Sequence, residues 1–115
     1  MNELVEKPRA DYDAVAYGAW AQESSHPDRI ASLAMMRGLD PPPVKDCRVL
    51  EIACATGCNL MPMAEQMPGS RFLGIDLSNR RIEIGAKLVA ELGLTNVELR
   101  CQDLMDFPQD AGKFD

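Results

Sequence analysis

Hydrophobic positions change their period several times between Cys47 and Cys101, and those changes divide the chain into elements. Cys47-Arg48-Val49-Leu50-Glu51-Ile52 is a short β-prone run, followed by small residues through Ala53-Cys54-Ala55-Thr56-Gly57. Leu60 to Met67, rich in Leu and Met, is predicted as a helix that stops before Pro68-Gly69. Pro62 is assigned to its first turn, where a missing N–H costs little. Arg71-Phe72-Leu73-Gly74-Ile75-Asp76 is a second strand ending in an acid. Ser78 is a good N-cap for a helix whose apolar face is expected at Ile82, Ala86, Val89 and Ala90, with Gly93 as its stop. Asn96-Val97-Glu98-Leu99-Arg100-Cys101 alternates strictly and is read as a third strand. Strand, helix, strand, helix, strand is the order of right-handed βαβ units on a parallel sheet, an α/β fold.

The first 43 residues have a different texture. Residues 1–26 are polar, with Tyr12, Tyr17 and Trp20 set among small side chains. His26-Pro27-Asp28 suits a helix start, and Ile30, Leu33, Ala34 and Leu39 give a short apolar face before or beside the stop at Gly38. Pro41-Pro42-Pro43 is a stiff, extended connector. The expected organisation is a helical arm and connector at 1–43 and an α/β domain at 44–115.

Composition narrows the classes. A chain of 115 residues buries roughly two-thirds of its unfolded surface, enough for one modest core. With 46% hydrophobic and 26% charged residues it matches a folded globular chain rather than a disordered or fibrous one. Twelve basic against eighteen acidic residues, net −6, argue against a broad nucleic-acid surface. The longest uncharged stretch, Ile52 to Ala64, is too short to span a bilayer, and the N-terminus has no apolar signal segment, so a cytoplasmic location is expected. Cys47, Cys54, Cys58 and Cys101 include no CxxC pair, and the single histidine, His26, is distant in sequence. The expectation is four reduced thiols and no metal site.

In an open α/β sheet, ligands bind at the carboxyl ends of the strands. The chemistry-bearing residues fall there: Glu51 to Gly57 after the first strand, Asp76 after the second, Asp103 after the third. A small-residue turn lets a ligand approach the backbone. A Walker loop needs Gly-Lys-[Ser/Thr], which is absent. A dinucleotide fingerprint aligned at Ala53 would place Ala53, Ala55 and Cys58 where glycines belong. Asp76 nevertheless stands at a suitable distance to hold a ribose diol, which keeps a nicotinamide or flavin cofactor as an alternative.

The run Val49-Leu50-Glu51-Ile52-Ala53-Cys54-Ala55-Thr56-Gly57-Cys58-Asn59 resembles motif I of class I S-adenosylmethionine-dependent methyltransferases. Phe72-Leu73-Gly74-Ile75-Asp76-Leu77-Ser78 resembles that family's second-strand motif, and Val97-Glu98-Leu99-Arg100-Cys101-Gln102-Asp103-Leu104 its third. The resemblance implies a Rossmann-like, doubly wound parallel sheet and S-adenosylmethionine as cofactor. It implies that Ala53, Cys54, Ala55 and Gly57 form the floor under the methionine and ribose, with Asn59 in the same loop. Glu51 would anchor the loop and face the positive end of the methionine, Asp76 would accept from both ribose hydroxyls, and Leu77 would pack on adenine. Asp103 would take the adenine amino group, with Leu104 supplying an N–H. The family usually has glycine where Ala53 and Ala55 stand; if the first position has φ > 0, alanine there costs ~1 kcal/mol. Arg81 also departs from the family's common polar residue.

The arm is similar to that of bacterial methyltransferases carrying a regulatory domain, some of them protein-lysine methyltransferases. Tyr12 to Tyr17, Ser25 to Ile30 and Gly38 to Pro42 carry that similarity, and Cys58-Asn59-Leu60 partly matches the group's Gly-Asn-Leu. Plainer roles stand beside these: His26 as a cap or surface residue, Tyr17 as packing, Met61, Met63 and Met67 as core filler, Cys58 as an inert small residue. The resemblance places catalytic and acceptor residues after the fourth and later strands, and Phe114-Asp115 resembles the opening of the fourth. The expectation is therefore a cofactor-binding piece without identifiable catalytic residues, its open sheet edge covered by further chain or self-association. A complete, non-catalytic adenosyl-binding module is the alternative. The methyl acceptor, protein or small molecule, is not specified by the sequence, and no nucleic-acid or membrane partner is expected.

Overall fold

The computed structural model describes residues 6–10 and 20–115. Tyr12 and Tyr17 lie outside the described residues, and Trp20 is exposed. Residues 6–10 are helical. A short 3-10 turn at Glu23–Ser25 leads into helix α1, Pro27–Met36. Its start is built as the sequence suggests: Pro27 occupies the first turn and His26 Nδ1 accepts the Asp28 N–H at 3.1 Å. The expected apolar face of α1 is largely unburied, with Ile30, Leu33 and Leu39 about half or more exposed. Ala34 and its neighbour Ala31 are partly covered and Pro27 is buried; Ile30, Ala31 and Ala34 share a cavity with Val49 and Leu50.

Three parallel strands follow: β1 (Arg48–Ile52), β2 (Arg71–Asp76) and β3 (Val97–Cys101). They lie in the order β1-β2-β3, with Leu50 opposite Leu73 and Gly74 opposite Leu99. Helices α2 (Leu60–Gln66) and α3 (Asn79–Glu91) make the two crossovers. Consecutive right-handed crossovers that step the same way across a sheet put both helices on one face. On that face Leu60, Met63, Ala64 and Met67 of α2 and its end close over Phe72, with Val49, Val97 and Leu99 around them. Met61, Met63 and Met67 are core residues, all more than nine-tenths buried.

Helix α3 starts on its cap, Ser78 Oγ accepting the Arg81 N–H at 3.3 Å. Its buried seam differs from the expected stripe: Arg81, Ile82 and Gly85 are buried, Val89 is half-buried, and Ala86 and Ala90 are exposed. Gly85 is the reason. A Cβ there would run into the Thr56 carbonyl oxygen and the Leu99 side chain, so the bare backbone lets α3 settle on the loop after β1 and turns Ala86 outward.

At the outer edge of β1, Asp115 donates its N–H to the Arg48 carbonyl at 2.8 Å and accepts the Arg48 N–H through Oδ2 at 2.9 Å. No helix among the described residues is long and apolar enough to cross a membrane.

Candidate functional site

The loop from Ala53 to Asn59 leaves β1 in an uncommon backbone conformation. Ala53 has φ 60° and Ala55 φ 53°, both in the left-handed region that disfavours any residue with a Cβ. The condition set by the sequence for strain at the first alanine is met, and it is met at the second as well. Gly57 also has positive φ, 78°, and a Cβ there would clash with Leu99.

Asp76 holds this loop in place. Its Oδ2 accepts the Ala55 N–H at 2.8 Å and its Oδ1 the Ser78 N–H at 2.9 Å, joining the loop after β1 to the start of α3. The Cys54 N–H reaches the Ile75 carbonyl at 3.0 Å. Each Asp76 oxygen still has lone-pair capacity for a ligand donor.

Beside this clamp, at the carboxyl ends of all three strands, lies a cavity of about 390 Å³. Ala53, Ala55, Asp76, Leu77, Asp103 and Leu104 line it, six of the ten residues singled out in the sequence. Ile52, Ile75, Arg81 and Gln102 complete the wall. Sequence reasoning passed over Ile52 and Gln102; Ile52 is half-exposed at a strand end, the position where an apolar residue marks a binding surface rather than a core. Asp103 caps a 3-10 turn, Leu104–Asp106, by accepting the Met105 N–H at 3.0 Å.

The remaining four of the ten do not line the cavity. Cys54 is buried, its sulfur seated where Gly74 has no side chain: a Cβ on Gly74 would lie 2.7 Å from Sγ. Burial, then the nearby Asp76 and Glu51 charges, push the Cys54 thiol up to about 12, so it stays protonated and unreactive. Gly57 packs on Leu99. Glu51 and Asn59 form a pair on their own: Asn59 Nδ2 donates to Glu51 Oε1 at 2.8 Å. The other carboxylate oxygen, Oε2, is buried without a hydrogen-bond partner among the described residues. Burial raises the Glu51 pKa, opposed by the Asn59 bond. A buried carboxylate oxygen with no donor is a position that a water, an ion or a ligand group can complete.

His26 turns out to be a cap, as noted, and its Nε2 lies 3.1 Å from Gln66 Oε1 on α2. All four cysteines are free thiols. Among the described residues, no three His, Cys, Asp or Glu side chains are grouped so as to hold a metal ion.

Comparison with known proteins agrees with this geometry. The methyltransferase domain family matches residues 49–115. An uncharacterized protein of Rickettsia prowazekii is 36% identical over 107 residues, covering 93% of this chain and 43% of that protein. Demethylmenaquinone methyltransferase of Symbiobacterium thermophilum is 27% identical over 121 residues, covering 44% of its length. The chain thus spans less than half the length of these relatives. Among solved structures, PKMT2 from Rickettsia typhi in complex with AdoHcy superposes with TM-score 0.83 at 35% identity, over 87% of this chain and 20% of that one. Geranyl diphosphate C-methyltransferase from Streptomyces coelicolor shares the fold at TM-score 0.64 and 17% identity, over 93% of this chain and 50% of that one. Three parallel strands with a cavity at their carboxyl ends, a matching family and a matching fold together place the chain: it belongs to the methyltransferase domain family and has the Rossmann-like class I fold.

Proposed function

We propose that the strand-end cavity binds S-adenosylmethionine and that the chain serves methyl transfer from it. The observation that carries this reading is the convergence of Asp76, Asp103 and the left-handed Ala53–Ala55 loop on one cavity large enough for a nucleoside. The residues fit the cofactor. Asp76 would accept from the ribose hydroxyls with the lone pairs its two backbone bonds leave over, a bidentate task suited to a carboxylate. Leu77 and Ile52 offer apolar surface for adenine, and Asp103 an acceptor for its amino group. Glu51, with one buried oxygen unbonded, suits the ammonium end of the methionine. When bound, S-adenosylmethionine supplies an electrophilic methyl group on a sulfonium, so catalysis rests mainly on proximity and orientation of an acceptor. What these residues contribute is the holding: Asp76 keeps the loop open, and Gly85 lets α3 brace it from behind.

The acceptor in this reading is a protein side chain, supported by the arm's resemblance to protein-lysine methyltransferases and by the 35% identity to PKMT2. A reducing, cytoplasmic setting fits the four free thiols. The test is calorimetric titration with S-adenosylmethionine, S-adenosylhomocysteine and NAD. Saturable binding of the two sulfur ligands with none of NAD is expected. Binding of NAD in preference would overturn the reading in favour of a dinucleotide site.

A further inference from the structure

Asn59 stands immediately before α2, the position where an asparagine side chain normally accepts one of the helix's first N–H groups. Here it does not. Its backbone is already helical (φ −74°, ψ −36°) and its side chain makes no cap bond. It is nine-tenths buried, and its polar atoms are turned to two other places. Nδ2 donates to Glu51 Oε1 at 2.8 Å and to Ser25 Oγ at 2.9 Å, while Oδ1 accepts the Gln22 N–H at 2.7 Å. Ser25 Oγ in turn donates to the Gln22 carbonyl at 3.1 Å.

All of Asn59's side-chain capacity but one lone pair is thus committed to joining Glu51 to the Gln22–Ser25 turn, 34 and 37 residues earlier in the chain. His26 adds a second stitch to α2 through Gln66. Among the described residues little else holds the turn down, since residues 20–24 are exposed and Ser25 only partly covered. The order of so exposed a segment depends on the few bonds that tie it.

We propose that Asn59 couples docking of the Gln22–Ser25 turn to occupancy of the cofactor site, acting as a positioning residue through Glu51. The inference rests on the proposed cofactor reading. A ligand group that bonds the free Glu51 oxygen fixes the carboxylate, the fixed carboxylate holds the Asn59 amide in one orientation, and that orientation is the one that receives Ser25 and Gln22. By linkage the effect runs both ways: a docked turn favours ligand, and ligand favours a docked turn.

Hydrogen exchange of the 115-residue chain with and without S-adenosylhomocysteine tests it, read at the amides of residues 22–26 together with the ligand's dissociation constant. Bound ligand is expected to slow exchange at these amides about fivefold or more, the effect of one additional secured hydrogen bond. Ser25→Ala, at a partly exposed position that leaves the core untouched, is expected to abolish that slowing and weaken the ligand about threefold. Ser25→Thr keeps the hydroxyl and is expected to restore most of both, which a purely steric role for Ser25 would not produce. Ligand that binds without changing exchange at 22–26, or a Ser25→Ala chain that binds as tightly as the parent, overturns the coupling and leaves the cofactor site standing. Failure of S-adenosylhomocysteine to bind at all overturns the cofactor reading, and this inference with it.

Discussion

Glu51 and Asp76 look alike in the sequence: each is the acid at or near the end of an apolar strand, and by the alternation of side chains both leave the sheet on the face carrying α2 and α3. Their surroundings make them opposites. Asp76 meets two backbone N–H groups of its own chain, Ala55 and Ser78, one per oxygen. Glu51 meets one amide, from Asn59, and keeps its second oxygen buried and unbonded. The first carboxylate builds the site. The second stands outside the residues that line the cavity, and its burial makes the fold bear an unfavourable charge. Two strand-end acids on one face of one sheet can thus have opposite effects on stability.

Asp76→Ala should break the comparison most forcefully. It removes two charge-assisted bonds and leaves the Ala55 and Ser78 N–H groups without acceptors, for a loss of about 3 kcal/mol in urea denaturation. Binding of S-adenosylhomocysteine should fall below detection in the same protein, because the loop and the proposed ribose acceptor are lost together. Asp76→Asn, which keeps one acceptor oxygen, should recover part of the stability and little of the binding.

Glu51→Gln should move the two readouts in opposite directions. Burial raises the Glu51 pKa, so the folded chain holds that proton more tightly than the unfolded one. The stabilisation associated with it is present below the unfolded pKa and is lost as pH rises through the folded value. The glutamine cannot ionise and retains an oxygen for Asn59. It should therefore raise the melting temperature at neutral pH, with the gain vanishing below about pH 4, where the wild-type carboxyl is itself neutral. Ligand affinity at neutral pH should drop about tenfold as the ammonium loses its counter-charge. A variant that loses stability at neutral pH would show that the charge is already satisfied in the fold and that Glu51 is a second Asp76.

How far each acid's role could be read in advance follows the distance of its partners. Asp76 is two residues from Ser78 and one βα unit from Ala55, and the rule that ligands gather at strand ends pointed to the cavity it borders. The Ser78 cap, the Pro62 first turn and the strand boundaries were equally local, and the structure keeps them to within a residue. The Glu51 network was not legible, because its outer members lie in a polar stretch with no periodicity, and an asparagine before a helix reads as a cap. The buried face of α3 departs from its pattern for a similar reason: apolarity favours Ala86 and Ala90, while the contact is set by what Gly85 lacks. The apolar face of α1 was legible as a pattern, but a pattern does not say which surface it meets, and here most of it meets none.

The smallest effect probes the loop that lies between the two acids. Ala53 and Ala55 both hold left-handed backbone, where a Cβ costs roughly 1–2 kcal/mol, against about 0.5–1 kcal/mol of extra unfolded-chain entropy for glycine. Ala53→Gly and Ala55→Gly should thus each stabilise by about 0.5–1 kcal/mol in urea denaturation. The two need not be equal. Ala55 donates its N–H to Asp76, which fixes its conformation whatever the side chain, so relief of strain there should appear in full. Combining each glycine with Asp76→Ala separates the cases. Without the clamp Ala55 is free to relax, so Ala55→Gly should lose most of its benefit, while Ala53→Gly should lose less. Equal gains in both backgrounds would mean that the strain is imposed by the packing of α3 on Thr56 rather than by the carboxylate, and Gly85 would replace Asp76 as the residue that shapes the loop.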